Sequence, residues 1–105
     1  MYMKSISVDK LRQMLNAGEE IQLIDVRELY ELKTEGTIKG LLHIPLGEIM
    51  ERLDELRNDN PVVFYCRIGR RSGNVLKFMK MKGLYMENYY NLDGGINAWK
   101  QEFTC

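Results

Sequence analysis

One short stretch holds most of the chemistry this chain can do: Tyr65-Cys66-Arg67-Ile68-Gly69-Arg70-Arg71-Ser72-Gly73. A cysteine follows the continuous apolar run Val62-Val63-Phe64-Tyr65. Such runs suit a parallel strand buried on both faces, which puts Cys66 at the strand's carboxyl end, where sites form in open α/β sheets. The loop beyond it leads into a helical pattern from Ser72 to Lys82. The first N–H groups of that helix have no partner within it, so they and the positive end of the dipole attract anions. A cysteine there is more thiolate than usual, because such donors stabilise S⁻. Arg67, Arg70 and Arg71 add permanent positive charge, and Gly69 and Gly73 permit turns that aim N–H groups inward as an anion nest. Taken singly, these features have plain readings: a free cysteine is often a small core residue, and clustered arginines are often a solvated loop. Their combination ahead of a glycine and a helix start is what points to a nucleophilic thiolate and an anionic substrate.

Several elements must position that loop. Ser7 caps a first helix carrying Val8, Leu11 and Leu15 at helical spacing, and Gly18 ends it. Ile21 to Val26 reads as a β-branched strand. Glu28 to Lys33 is a short helix closed by Gly36, and Leu42 to Ile44 a brief strand stopped by Pro45. Glu48 to Arg57 has Ile49, Leu53 and Leu56 on one face and predicts an amphipathic helix. Asn58-Asp59-Asn60-Pro61 is turn chemistry. Asn88 to Leu92 is a last strand, Asp93-Gly94-Gly95 a turn, and Ile96 to Gln101 a terminal helix. Strands alternating with helices predict an α/β domain with a mainly parallel sheet.

The chain has 105 residues and a mass of 12.3 kDa. Residues 1–105 are expected to form a single domain, large enough to fold without a disulfide or structural metal. Fifteen Lys and Arg balance fifteen Asp and Glu, so bulk electrostatics give no reason to expect nucleic acid or an anionic membrane as partner. One histidine and two cysteines 39 positions apart do not supply a structural zinc site. Two lone cysteines fit a reducing compartment, and no signal peptide or apolar span is visible, so a cytoplasmic location is expected. His43 reads as a hydrogen-bonded core or rim residue, and terminal Cys105 as incidental.

The ordered set Asp25-Val26-Arg27-Glu28, Gly36-Thr37-Ile38-Lys39-Gly40, Ile44-Pro45-Leu46, Tyr65-Cys66-x-x-Gly69-x-Arg71-Ser72, Leu92-Asp93-Gly94-Gly95 and Trp99 resembles a single-domain rhodanese across residues 5 to 101. The resemblance implies a sulfurtransferase with a five-stranded, mainly parallel sheet flanked by helices on both faces, and a Cys66 that carries a persulfide. The expected partners are a small anionic sulfur donor, thiosulfate or a persulfide, and a thiol or cyanide acceptor, the thiol free or on a protein. No metal or organic cofactor is required. Arg67, Ile68, Gly69, Arg70, Arg71 and Ser72 are expected to hold the donor and the persulfide. Asp25 and Arg27 match the family's Asp-x-Arg motif, either as supports of the loop or as a strand-end pair that only stabilises the fold. Thr37, Leu41 and His43 depart from the family's common His, Ala and Asn, which bears on packing more than on activity.

Two rivals stand beside this reading. Phosphatases and arsenate reductases on the same fold have a longer loop. In protein tyrosine phosphatases five residues separate Cys from Arg, whereas four separate Cys66 from Arg71. The smaller ring suits one sulfur atom better than a phosphoryl group. A non-catalytic binding module is the other rival. Such modules often lack the cysteine, which this chain keeps.

Overall fold

The structure is a computed structural model and describes residues 3–103. Cys105 lies outside the described residues. Five strands form one parallel sheet in the order β1-β5-β4-β2-β3. They are β1 (Lys4–Ile6), β2 (Gln22–Asp25), β3 (Leu42–His43), β4 (Val62–Tyr65) and β5 (Tyr89–Leu92). The helices are α1 (Val8–Asn16), α2 (Leu29–Glu35), α3 (Arg70–Met81) and α4 (Gly95–Phe103). The chain is therefore the α/β domain with helices against a parallel sheet that the alternating pattern predicts.

Side-chain alternation along the central strands divides the core. On β4, Val62 and Phe64 join Ile24, Ile49, Leu76 and Met79 in one cluster. Val63 and Tyr65 join Leu11, Leu23, Ile38 and Ile96 in the other. Period-two alternation on a strand covered on both sides produces this division. One cluster is closed by α3 and the segment after β3, the other by α1 and α4. All four residues of β4 are fully buried.

The strand order places the site. From β2 the chain moves outward to β3 on one side; from β4 it moves outward to β5 on the other. The direction reverses between β2 and β4, the switch point beyond whose carboxyl ends sites form in open α/β sheets. Asp25 ends β2 and Tyr65 ends β4, paired in register, and Cys66 follows directly.

The structure corrects the sequence expectation at two places. Residues 48–57 are not one α-helix but two 3₁₀ segments, Leu46–Glu51 and Leu53–Glu55, with Arg52 between them at φ −123°. The three-residue turn keeps Ile49 and Leu56 in the core. Arg52 then ties both segments together, meeting Glu48 at 3.0 Å and Glu55 at 2.7 Å. Strand β1 has no counterpart in the sequence reading. Its three residues include one buried side chain, Ile6, too little for a periodic signal. It exists because β5 offers it an edge. Smaller differences fall at ends: α3 starts at Arg70 and α4 runs from Gly95 to Phe103. The Ser7 cap is as expected, with its Oγ accepting from Lys10 N at 3.1 Å.

Candidate active site

Cys66 is 1% exposed, and its Sγ sits inside the loop it opens. Gly69 N donates to the sulfur at 3.2 Å, Ser72 N at 3.4 Å, and the Ser72 hydroxyl lies at 3.4 Å. Burial pushes the thiol's pKa up. The Ser72 hydroxyl and the amides of Ser72, Gly69 and Ile68 pull it down, and the balance falls below an ordinary cysteine.

The path of the loop is fixed from behind, through its carbonyls. Ile96 N donates to the Cys66 carbonyl at 2.9 Å and Asn97 N to the Arg67 carbonyl at 3.0 Å. These are N–H groups of the first turn of α4, which need partners outside their own helix. The peptide plane is rigid and trans, so a carbonyl held toward α4 turns the next N–H to the other side. The Gly69 carbonyl is likewise held, by Asn91 Nδ2 at 3.0 Å and Gly73 N at 3.1 Å. Two glycines permit this. Gly69 has φ +94°, where other residues are strained, and a Cβ there would stand 3.1 Å from the Leu92 carbonyl oxygen. Gly95 has φ +59°, and its Cβ would collide with the Cys66 carbonyl oxygen and meet that of Arg67 at 2.6 Å. The Gly94-Gly95 turn thus lets α4 press its N-terminus against the back of the cysteine loop.

The three loop arginines part company. Arg71 is bidentate on Glu31 at 2.9 and 2.7 Å. Arg67 is bidentate on Glu35 at 3.1 and 2.8 Å. Glu31 and Glu35 are four residues apart on α2 and so share one helix face. Arg70 makes no ion pair among the described residues. With Lys4 and Lys77 it lines a cavity of about 330 Å³ that also borders Gly69 and Asn91. Ile68 is exposed on the loop. Sequence reasoning picked the arginines but missed the carboxylates that hold two of them. The spacing Glu31-x-x-x-Glu35 on a short helix is the signal that could have found them.

Asp25 and Arg27 are fully buried and paired. Asp25 accepts from the Arg27 backbone N at 3.0 Å, from Nε at 3.1 Å and from Nη2 at 2.8 Å. Arg27 Nη2 also donates to the Gly36 carbonyl at 2.7 Å, just past α2, and Nη1 stands 4.0 Å from Glu35. The pair makes no direct bond to the cysteine loop among the described residues; it reaches the loop through α2. His43 is half-buried with Nε2 at 2.6 Å from the Arg27 carbonyl, a hydrogen-bonded rim residue. Of the other departures, Thr37 is exposed and Leu41 packs against the core.

The fold and site define a parallel α/β domain with a cysteine cradled by backbone amides at a strand's carboxyl end. Residues 7–102 match the Rhodanese-like domain family, and the chain belongs to it. A Bacillus subtilis (strain 168) protein named "Putative sulfurtransferase YtwF" is 41% identical over 102 residues, which span 97% of this chain and 95% of that one. A protein named "Sulfurtransferase" from Allochromatium vinosum is 35% identical over 94 residues, 90% of this chain and 85% of that one. The crystal structure of a rhodanese-related protein from Thermoplasma volcanium superposes with a TM-score of 0.80 at 31% identity, covering 96% and 94% of the two chains. No helix among the described residues is long and apolar enough to cross a membrane.

Two outcomes are expected. Gly95→Ala should cost at least about 1 kcal/mol from backbone strain alone, with more from the collision. Urea unfolding measures the loss, and the Cys66 thiol should rise toward an ordinary pKa as its amides lose their anchor. The Arg71 guanidinium holds the buried Glu31 carboxyl at about 2, against 4.5 unperturbed. A carboxyl depressed by folding contributes stability that is present above pH 4.5 and lost as pH falls toward 2. Between those pH values the wild type should lose about 1–3 kcal/mol that Glu31→Gln does not lose. Denaturant midpoints at stepped pH would show parallel curves if the pair carries no stability.

Proposed function

We propose that this protein is a rhodanese-type sulfurtransferase in which Cys66 carries the sulfur in transit. The observation that carries the reading is the cradle itself, an anion-stabilising ring of amides and one hydroxyl closed around a single sulfur. Membership of the rhodanese-like family and relatives named as sulfurtransferases support it. In the first half-reaction the Cys66 thiolate attacks the outer sulfur of a donor such as thiosulfate. The Sγ–S bond forms, the S–S bond of the donor breaks, and sulfite leaves with the bonding pair. Cys66–S–S⁻ remains. In the second, an acceptor thiolate or cyanide attacks the outer sulfur and the Cys66 thiolate leaves. This is covalent catalysis in two steps with ping-pong kinetics. The inward amides of the loop from Arg67 to Ser72 bind the negative charge on sulfur at each stage.

The role of the arginines is narrower than three free cations would give. Glu35 and Glu31 neutralise Arg67 and Arg71 and hold the loop's shape. Donor attraction then falls to Arg70. The loop length weighs against a phosphatase, since four residues and not five separate Cys66 from Arg71.

The test is intact mass before and after thiosulfate, with excess donor removed. A gain of about 32 Da in the wild type and none in Cys66→Ser is expected of a covalent sulfur intermediate. The variant should keep the wild-type circular dichroism spectrum. Sulfur transfer that persists in Cys66→Ser would sink the assignment. No gain with thiosulfate or with glutathione persulfide would favour a binding module.

A further inference from the structure

The Ser72 hydroxyl has one proton and two acceptors. Its Oγ is 2.6 Å from Asn91 Oδ1 and 3.4 Å from Cys66 Sγ. A hydroxyl proton cannot serve both at once. Nor can Asn91 turn its amide over. Its Nδ2 donates to the Gly69 carbonyl at 3.0 Å, and a flipped amide would set oxygen against oxygen there. Its Oδ1 is therefore kept facing Ser72. Asn91 sits on β5 beside the site, makes no contact with sulfur among the described hydrogen bonds, and is not a residue the sequence singles out.

We propose that Asn91 is a positioning residue that competes with Cys66 for the Ser72 hydroxyl and so sets how far the unloaded thiolate is stabilised. This deepens the reading that Cys66 is a sulfur-carrying nucleophile and rests on it. In the neutral thiol state the Ser72 proton lies on Asn91 Oδ1, and the Ser72 oxygen presents a lone pair to the thiol. When the thiol loses its proton to solvent, the hydroxyl must leave Asn91 to donate to S⁻, and Asn91 Oδ1 is left without it. That loss opposes ionisation. When a sulfane sulfur is loaded, the negative charge moves to the outer sulfur, about 2 Å further out. The inner Sγ becomes a weak acceptor, and the hydroxyl returns to Asn91. Asn91 thus disfavours the free thiolate and leaves the loaded form untaxed, which tilts the cysteine toward carrying sulfur.

The geometry fixes a sign that a merely structural asparagine would not give. Removing the competing acceptor should lower the Cys66 pKa, although a polar contact beside the site has been deleted. The experiment is a pH titration of the Cys66 ¹³Cβ resonance in cysteine-labelled protein, which needs no reagent to reach the buried sulfur and separates Cys66 from Cys105. Asn91→Ala should move the midpoint down by about half a unit to one unit, the scale of one modest hydrogen bond. In a Ser72→Ala background the same replacement should leave the midpoint where Ser72→Ala alone puts it. Asn91→Val, a strand-forming replacement with no acceptor, should repeat the shift and serves if the alanine variant fails to fold. A midpoint that stays or rises overturns the proposal. So does an equal shift with and without Ser72, which would trace the effect to the Gly69 carbonyl. Sulfur loading of the wild type from thiosulfate, read by mass, is independent of this titration. Loading without the pKa shift sinks the relay alone, whereas the shift without loading supports the relay and sinks the transfer reading.

Discussion

Everything at the site depends on which way the peptide planes of the cysteine loop face. The carbonyls of Cys66, Arg67 and Gly69 are each fastened from behind, two by the first turn of α4 and one by Asn91 and the turn of α3. Because the peptide is planar and trans, fastening these carbonyls turns the N–H groups of Arg67, Ile68 and Arg70 the other way and fixes the loop path that brings Gly69 N and Ser72 N to the sulfur. The donors around Sγ thus sit on a loop held from behind. Preorganised dipoles of this kind need no reorganisation when negative charge arrives, which is why they stabilise an anion more than water's mobile dipoles do. Gly95 is where this constraint meets the sequence most sharply. Any side chain there would occupy the space of the carbonyls that α4 holds.

Charge arrangement follows the same logic of holding rather than attracting. A loop with three arginines invites the expectation of an open cationic surface. Instead, α2 lays Glu31 and Glu35 along it and takes up two of the three. Glu31 is nearly fully buried and accepts both terminal nitrogens of Arg71, a pair whose planar geometry fixes direction as well as distance. Behind α2, the buried Arg27 ties Asp25 at the end of β2 to the Gly36 carbonyl at the helix's far end. Removing one partner from such a buried pair would strand the other charge away from water. A chain of ionic contacts therefore runs from β2 through α2 to both flanks of the cysteine loop. It is neutral in sum, which agrees with a protein whose formal charge is zero.

The sequence made the centre of this site visible and left its walls obscure. Cys66 was legible because a run of four apolar residues bounded by turn chemistry suits a buried strand, and its end is a definite place. The loop glycines and the helix beyond were legible for the same local reason. Asn91 was not. It lies 19 positions from Ser72 in a strand whose pattern speaks only of burial, and its role arises from the pairing of β4 with β5. The carboxylates Glu31 and Glu35 are 40 and 32 positions from their arginines, and a helix with charges on one face looks the same whether that face meets water or a loop. The 46–55 segment failed differently. Its apolar spacing of four and three fits an α-helix, but the fold needs a tighter path there, and the two carboxylates converging on Arg52 stabilise the broken form. Periodicity reports which residues face inward, not how the backbone delivers them.

Strand order explains why the two halves of the site meet at all. Asp25 and Cys66 are 41 positions apart in the chain, yet β2 and β4 are neighbours in the sheet and in register. Since the connections leave in opposite directions from these two strands, neither following helix covers the space between their ends. The loop after β4 can then close on itself around a sulfur, while the loop after β2 turns into α2 and stands against its flank. A sheet wound in one direction only would place a helix across that space. The reversal is a property of topology, carried by no single residue, and it is what sets the ends of β2 and β4, and so Asp25 and the cysteine loop, side by side.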